Sequence, residues 1–431
     1  MRYQSISPQL FINNRKRLIP ELKSNSLVLF NANDTMPTNA DGSLAFRQNN
    51  DLFYLTGVDQ EESILILCPN FPDEKWREIL FLKETSEHIA IWEGHKLTKE
   101  EAKHRTGIET ILWLSEFPRV FRHLMTMGNV ENVYLNTNEH YRAEITVQTR
   151  DARFIEWCKA SYPLHNYQRI APIISKLRSV KSQEEIALMQ EACNITETAF
   201  RRVLKFVKPG VKEYEIEAEF IHEFTRKGST GFAYTPIIAA GSNSCVLHYI
   251  ENDQVCKEGD VLLLDVGAAY ANYNADMTRT IPVNGKFTTR QKEVYNAVLR
   301  VQRTAMQLLR PGVVYFDYHK EIKKIMEREL IDLKLLKKEE VEKQDPDKPL
   351  LLKYFMHGTS HMLGLDVHDV GNMHAKVEVG QVWTIEPGIY IREENVGVRL
   401  ENNVVIGEKE NFDLMKNIPI EVEEIEELMN S

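Results

Sequence analysis

Two strand-like segments of this chain carry acidic residues at positions that a strand normally buries, and this feature limits the possible folds most strongly. In the first segment, residues 261–283, Asp265 lies inside the apolar run LLLDV. The segment predicts a hairpin in which Asp265 pairs with Asp276 and the turn centres on Tyr270–Ala271. Two bare carboxylates repel each other at the roughly 5 Å that separates paired Cβ atoms, so a positive group must lie beside them.

A second segment, residues 383–406, repeats this arrangement. Pairing Glu386 with Glu401 places the turn at Glu393–Glu394 and directs both glutamates to one face. Arg399, two residues before Glu401, falls on that face as well. Four carboxylates would then converge, and two divalent cations would neutralise them. Hard oxygen ligands together with an imidazole suit manganese, zinc, cobalt or iron(II).

An imidazole for such a site is expected from the segment HGTSHMLGLDVHDVG, which contains His357, His361 and His368. His248 lies shortly before the first hairpin. A lone histidine is more often a satisfied polar residue than a ligand. Three of them beside four strand-borne carboxylates favour chemistry.

Each acidic hairpin, taken alone, is also compatible with an edge strand whose charges are solvated. In the same way, Asp276 and Arg279 could form a salt-bridged turn within ADMTR. Matched registers in both hairpins are much less expected by accident, so the pattern favours a shared site.

The chain is expected to contain two domains, because its pattern of apolar and polar residues changes near Pro172. The first part alternates apolar strands with helices, which is typical of an α/β layer domain. No glycine-rich phosphate loop follows these strands, so nothing indicates a nucleotide site. We assign residues 1–174 to this domain and residues 175–431 to the next. The predicted strands begin at Ser26, Ser63, Glu78 and Asn132, and the predicted helices cover 8–22, 117–128 and 147–160.

The second domain begins with a long amphipathic helix and then shows a loose internal repeat. A capping box at Ser182 and Glu185 starts the helix, and Pro209–Gly210 ends it. The sequence around Pro209 resembles that around Pro311, about 100 residues later. Each copy precedes one acidic hairpin. A charged stretch from Leu336 would be a surface insertion. A duplicated half-domain and chance similarity around a Pro-Gly turn explain the repeat equally well.

Composition limits the class of protein further. The chain has 431 residues, of which 43% are hydrophobic and 27% charged, as in a globular protein of two or three domains. Its net charge of −10 disfavours binding to nucleic acid or anionic membranes. We find neither a transmembrane run nor a signal peptide. The five cysteines form no CxxC pair, which argues against disulfides and zinc–thiolate sites, so a cytoplasmic protein is expected.

These motifs together resemble the pita-bread metallopeptidases, and most closely the aminopeptidase P family. The resemblance covers nearly the whole chain. It implies an α/β N-terminal domain followed by an α+β pita-bread catalytic domain with a pseudo-twofold duplication. The matching elements are Leu264–Gly267, Asn274–Arg279, His357–His361, His368–Asp369, Glu386–Gly388, Val398–Glu401 and, in the first domain, FRQNNDLFYLTG from Phe46.

The resemblance also implies a ligand set for two divalent ions per chain, with Mn²⁺ expected first and Zn²⁺, Co²⁺ or Fe²⁺ as alternatives. Asp265 would bind one ion through both oxygens, and Asp276 and Glu401 would bridge the two. His361 and Glu386 would bind the second ion. Glu386 would also exchange the proton of the attacking hydroxide.

The remaining roles implied by the resemblance concern the substrate. His248, His357 and His368 would line the substrate side, near the scissile carbonyl or the leaving proline. Arg399 would orient the carboxylates and offset their charge. No separate organic cofactor is implied.

The implied activity is hydrolysis of an N-terminal Xaa-Pro bond in peptides with proline in the second position. An Xaa-Pro dipeptidase (prolidase) is the alternative, since it shares the metal set and the two-domain plan. A pita-bread module that binds peptides or proteins without metal is the non-enzymatic alternative, which the complete ligand set disfavours. The resemblance further implies a homodimer or homotetramer.

Overall fold

The structure, a computed structural model, describes residues 2–127 and 129–431. It divides into two compact units, Gln4–Arg178 and Ser179–Ser431, and Tyr3 belongs to the second unit. Gly128, the last residue of one predicted helix, lies outside the described residues. Among the described helices, none combines the length and the apolar character that crossing a bilayer requires. All five cysteines are free and buried.

The N-terminal unit is built on a mixed six-stranded sheet, and all four predicted strands are present. Its strands are β1 (Ser26–Asn31), β2 (Ile64–Leu67), β3 (Glu78–Leu82), β4 (Thr110–Trp113), β5 (Asn132–Leu135) and β6 (Asn166–Arg169). Its helices are α1 (Pro8–Leu18), α2 (Asn50–Thr56), α3 (Glu87–Glu93), α4 (Lys99–Thr106), α5 (Phe117–Met127), α6 (Arg150–Ser161) and α7 (Ala171–Ser179).

The strands of this sheet follow the order β4-β3-β2-β1-β5-β6. The β1–β2 and β2–β3 pairs are antiparallel, and the other three pairs are parallel. Alternate residues such as Leu27 and Leu29 of β1 face one side, where they pack with Phe121 and Leu124 of α5. All six residues of β1 are buried, so both faces of this strand are covered.

The second unit contains the acidic hairpins. Its helices are α8 (Gln183–Phe206), α9 (Glu213–Arg226), α10 (Thr289–Leu308), α11 (Tyr315–Asp332), α12 (Lys338–Val341) and α13 (Val422–Met429). Its strands are β7 (Gly231–Phe232), β8 (Ile237–Ala240), β9 (Val261–Val266), β10 (Ala268–Tyr270), β11 (Tyr273–Asn274), β12 (Met277–Pro282), β13 (Val382–Ile385), β14 (Gly388–Ile391), β15 (Val396–Arg399), β16 (Asn402–Val405) and β17 (Phe412–Asp413).

The internal repeat is visible in the hydrogen bonds around the two Pro-Gly turns. Gly210 and Gly312 both adopt positive φ, at 96° and 88°. The Gly210 N–H donates to the Cys256 carbonyl at 2.9 Å, and the Gly312 N–H donates to the Val377 carbonyl at 2.9 Å. The same turn thus makes the same bond in each half, which supports duplication over chance similarity.

The two halves also build their hairpins alike. β9 pairs with β12 on one side and with β8 on the other. β13 pairs with β16 on one side, and on its other side the segment 359–363 bonds to it through His361 and Leu363. Each half therefore sets an acidic hairpin beside a third extended segment.

The predicted register of the first hairpin is wrong by two residues. Asp265 lies opposite Thr278 instead of Asp276. The turn is formed by Ala271 and Asn272, whose φ angles are 51° and 63°. A two-residue hairpin turn needs positive φ at both positions, and asparagine accepts it readily. Because the shift is even, Asp265 and Asp276 still share a face.

The second hairpin has the predicted register. Ile385 pairs with Asn402 and Gly388 with Arg399, so Glu386 and Glu401, between these pairs, oppose each other. The chain turns through residues 392–394, where a short 3₁₀-helix ends at a left-handed asparagine.

Candidate metal centre

Acidic and imidazole groups from both halves of the second unit meet at one point. Asp276, His361 and Glu401 are buried and offer ligand atoms that all lie within 4.8 Å of one another. The His361 Nε2 atom is 3.4 Å from Asp276 Oδ2 and 3.8 Å from Glu386 Oε1. Each half contributes ligands, because each acidic hairpin directs its carboxylates to the same space.

The orientation of His361 suits a metal ligand. Its Nδ1 atom lies 3.0 Å from the carbonyl oxygen of Met362, which can only accept a hydrogen bond. Nδ1 therefore carries the proton, and the lone pair of Nε2 faces Asp276 and Glu386. The backbone N–H of His361 donates to Thr384 Oγ1 at 3.1 Å, which fixes the residue against β13.

Tyr234 links Asp265 to Asp276. Its hydroxyl oxygen is 2.6 Å from Asp265 Oδ1 and 2.6 Å from Asp276 Oδ1. A phenol has one proton and can donate it to only one carboxylate at a time. The second short contact between oxygens therefore requires a further proton or a cation at this position.

Burial and mutual repulsion raise the proton affinity of these carboxyls. Burial, then the charge of Asp265, raises the pKa of Asp276 well above its ordinary value. Burial, then Asp276 and Asp265, does the same to the pKa of Glu401. Burial and the charge of Glu401 also raise the pKa of Glu386. Such a cluster is under electrostatic stress until positive charge enters it.

Among the described residues, Arg399 is the cation that forms an ion pair with this cluster. Its Nη2 atom donates to Asp265 Oδ2, its Nε to Thr278 Oγ1 at 3.1 Å, and its Nη1 to the Tyr390 hydroxyl at 2.9 Å. Burial acts to lower the pKa of Arg399, but Tyr390 and Asp265 outweigh burial and raise it. One guanidinium leaves most of the carboxylate charge uncompensated. Oxygen ligands with one imidazole fit divalent transition metals, so the donor set passes this chemical test.

His357 lies beside Glu386 and is held by two hydrogen bonds. The Tyr390 hydroxyl, which accepts from Arg399, donates to His357 Nε2 at 2.8 Å, and Nδ1 donates to the Gly358 carbonyl at 2.8 Å. Burial, then the charge of Arg399, lowers the pKa of His357 to about 3. His357 is therefore neutral at physiological pH.

The other two predicted histidines are exposed at this site. The His368 ring centre is 4.4 Å from that of His361, and the two rings stand at 88°. The charge of His248 contributes to the lowered pKa of His357, after burial and Arg399, so His248 faces the same region. The structure thus brings together all nine residues named from the sequence, and their chemical roles stay predictions.

Several residues of the site were missed by sequence reasoning. Tyr234 comes from a loop without any local signal. Thr278 and Tyr390 could have been found, because an even number of positions separates Thr278 from Asp276 and Tyr390 from Glu386. Each pair therefore lies on one face of its hairpin. The Thr278 hydroxyl donates to Glu401 Oε2 at 2.7 Å.

The alternative ion pair between Arg279 and Asp276 is not formed. Arg279 is fully buried and donates to the carbonyls of Thr278 and Glu401, at 2.9 and 2.8 Å. Asn403 binds Asp276 instead, donating to its carbonyl at 2.6 Å and accepting from its N–H at 3.0 Å. Both contacts join the first hairpin to the second.

Comparison with known proteins agrees with this geometry. The family model of Metallopeptidase family M24 matches residues 187–408, and that of the Aminopeptidase P, N-terminal domain matches residues 11–134. The Xaa-Pro aminopeptidase of Escherichia coli (strain K12) is 34% identical over 98% of each chain. Human Xaa-Pro aminopeptidase 3 is 31% identical over 92% of this chain and 79% of its own.

Solved structures give the same result. A Bacillus anthracis structure assigned to aminopeptidase P superposes with a TM-score of 0.91 at 33% identity, over 99% of both chains. Zinc-substituted aminopeptidase P of E. coli, in complex with product, superposes with a TM-score of 0.86 at 33% identity, over 99% of both chains. These matches support the pita-bread fold with an aminopeptidase P-type N-terminal domain.

Proposed function

The chain belongs to metallopeptidase family M24 as a metallo-aminopeptidase, and we propose that it releases the first residue from peptides with proline in the second position. The observation that carries this proposal is the complete cluster of Asp265, Asp276, His361, Glu386 and Glu401. Relatives named Xaa-Pro aminopeptidase match it over nearly its full length.

This cluster would hold two divalent ions, with Mn²⁺ as the expected metal. Asp265 would bind one ion, Asp276 and Glu401 would be shared, and His361 and Glu386 would complete the second. When bound, the ions would acidify a water molecule and polarise the scissile carbonyl. The uncompensated carboxylate charge, and the His361 Nε2 atom that faces Asp276 and Glu386, support this assignment.

Glu386 is proposed to move the proton. Its carboxyl lies between the two histidines, with Oε1 3.8 Å from His361 Nε2 and Oε2 3.8 Å from His357 Nδ1. Its raised pKa favours accepting a proton, which it would then deliver to the leaving proline nitrogen. That nitrogen must be protonated before it can leave as an amine.

His248, His357 and His368 are proposed to contact the substrate. The side chains of His248 and His368 are exposed beside the cluster, so a peptide can reach them. Neutral His357 can hydrogen-bond the substrate without adding charge to the site. Arg399 would orient Asp265 and Tyr390 and offset part of the carboxylate charge.

The preference for proline follows from its tertiary amide, which has no N–H. A general peptidase that recognises this N–H cannot use such a bond, whereas a cleft shaped for the pyrrolidine ring can. The free amine of the substrate would bind near the acidic cluster, which limits cleavage to the first residue.

The length of the preferred peptide tests this proposal. Release of the first residue should be faster from Xaa-Pro-Yaa and longer peptides than from the Xaa-Pro dipeptide, and Xaa-Ala-Yaa should be a poor substrate. Strong preference for the dipeptide would make the enzyme a prolidase. Binding without any hydrolysis in the presence of Mn²⁺ would favour the non-enzymatic alternative.

Domain limits, assembly and compartment complete the proposal. We retain domains 1–174 and 175–431, which the change of compact unit after Arg178 supports. We also propose a cytoplasmic homodimer or homotetramer, since closed symmetric assemblies of these kinds are the commonest. A monomeric mass by light scattering at micromolar concentration would contradict the assembly.

A further inference from the structure

We propose that a buried ion pair between Lys181 and Asp369 positions His368 for the substrate, and thereby sets the turnover rate without binding metal. This inference rests on the proposed peptidase function, in which His368 contacts the substrate. Lys181 and Asp369 would be positioning residues, because they would act through His368.

The loop that carries His368 has no regular secondary structure. Residues 364–368 form bends after the extended segment at Met362. Within it, Asp369 N–H donates to the Met362 carbonyl at 2.9 Å, and Gly364 N–H donates to the Asp366 carbonyl at 3.0 Å. Asn274 also donates to the Gly364 and Leu365 carbonyls. These bonds hold the backbone of the segment, whereas the side chain of His368 is exposed.

The ion pair anchors this loop to the rigid part of the unit. Lys181 Nζ lies 2.8 Å from Asp369 Oδ2, and both side chains are 1% exposed. The backbone N–H of Lys181 donates to the Gly380 carbonyl at 3.0 Å, next to β13. Its neighbour Ser182 is the capping residue of α8. Lys181 is therefore fixed by a strand and a helix, and it transfers that order to Asp369.

Gly364 makes room for the pair. A Cβ atom at this position would lie 2.2 Å from Asp369 Oδ2 and 2.9 Å from Lys181 Cε. Any side chain there would push the carboxylate away from the ammonium group. The pattern GLDVHD thus provides the space and the acid that the pair needs.

Stability alone does not account for such a pair. Two charges lose their hydration on burial, and well-packed apolar residues often replace a buried ion pair without loss of stability. Apolar residues, however, make no directional contact, so they cannot fix the orientation of the loop as an ion pair does. With Asp369 held inward, the adjacent His368 is directed outward, where its ring meets that of His361 at 4.4 Å. A displacement of about 1 Å in such a group can cost about 10²-fold in rate.

The test uses the full-length, Mn²⁺-loaded enzyme and an Xaa-Pro-Yaa peptide. The double variant Lys181→Met/Asp369→Leu should fold with wild-type metal content and a Tm near that of wild type, while kcat/KM falls about 10²-fold. Each single variant should be less stable than the double variant, because it buries an unpaired charge. Gly364→Ala should lower kcat/KM in the same way. A matched control, Lys292→Met/Glu426→Leu, removes a 2.9 Å pair between α10 and α13 and should leave kcat/KM unchanged.

A thermodynamic cycle separates positioning from a general structural effect. In a His368→Ala background, removing the pair should cause little further loss, because the pair acts through His368. Fully additive losses, a double variant that keeps wild-type kcat/KM, or loss of metal from the double variant would each overturn the inference. Wild-type enzyme without any turnover would instead contradict the proposed function itself.

Discussion

Two clusters of charged residues, one in each compact unit, differ in how their charges are neutralised. In the N-terminal unit, Arg15 is 1% exposed, pairs with Glu78 at 3.0 Å and donates to the carbonyls of Leu55 and Thr106 at 2.7 and 3.0 Å. In the second unit, four carboxylates face one guanidinium, that of Arg399. In the first arrangement, groups of the chain pair with the buried guanidinium. In the second, the guanidinium neutralises only part of the carboxylate charge.

This difference distinguishes a structural charge from a functional one. Arg15 is buried as deeply as Asp276 and Glu401, so burial alone does not mark the active centre. A balanced pair needs nothing from outside the protein, while an excess of carboxylates requires protons or cations. The comparison predicts that changes to the carboxylate cluster alter metal content and activity, whereas changes to the Arg15–Glu78 pair alter only stability.

The largest expected effect comes from Glu401→Gln. This change keeps the shape of the side chain and removes a charge that two ions would share, so metal content should fall and peptidase activity should be lost. Removing a group of this kind commonly costs about 10²–10⁴-fold or more in rate. Metal analysis of the purified variant, with kcat and KM measured at several Mn²⁺ concentrations, checks the result.

The matched control is Glu78→Gln, which removes the partner of Arg15 in the other unit. Its unfolding free energy should fall by roughly 1–3 kcal/mol, because a buried guanidinium loses its counter-charge, while metal content stays unchanged. If Glu78→Gln strips metal as Glu401→Gln does, the contrast between the units does not exist.

A smaller effect is expected from His357→Ala. His357 is neutral and hydrogen-bonded to Tyr390, and none of its contacts requires it to hold a metal ion. We expect bound metal to remain while kcat falls about 10²–10⁴-fold. His361→Ala should instead reduce metal content. Equal metal loss in both variants would show that the two histidines have been assigned the wrong roles.

A further effect concerns the pH dependence of stability and a carboxyl of the N-terminal unit, that of Asp151. Asp151 accepts a hydrogen bond from Asn31 at 2.8 Å, and burial raises its pKa from 3.8 to about 7. Because the pKa in the folded state is raised, the protonated form favours folding: its contribution is full below about pH 4 and is lost as pH rises through 7. The loss amounts to at most about 4 kcal/mol.

Asp151→Asn should remove this pH dependence. Between pH 4 and pH 8, the urea midpoint of the wild type should fall relative to that of the variant, measured by tryptophan fluorescence on the full chain. Parallel curves for the two proteins would show that Asp151 titrates normally and that the N-terminal unit balances its charges throughout.

Much of the fold could be predicted because local patterns determine it. Short continuous apolar runs predicted the strands of the N-terminal sheet, and the spacing of Glu386 and Glu401 predicted the register of the second hairpin. The first hairpin was misjudged because its turn depends on positive φ at Ala271 and Asn272, which the spacing of acidic residues does not reveal.

The site was predictable only as far as its residues repeat along the strands. The carboxylates and histidines stood out because acidic residues are rare inside apolar runs. Tyr234 and Lys181 did not stand out, since each meets its partner across a long stretch of sequence. Contacts of this kind depend on how the strands and helices pack, and a single sequence carries no local signal for them.

Metal removal and return test the central claim most directly. Purified protein should be dialysed against chelator until metal analysis finds none, assayed on an Xaa-Pro-Yaa peptide, and assayed again during titration with Mn²⁺. The account predicts an inactive metal-free protein whose activity returns as two ions bind per chain. Full activity in the metal-free protein would contradict it.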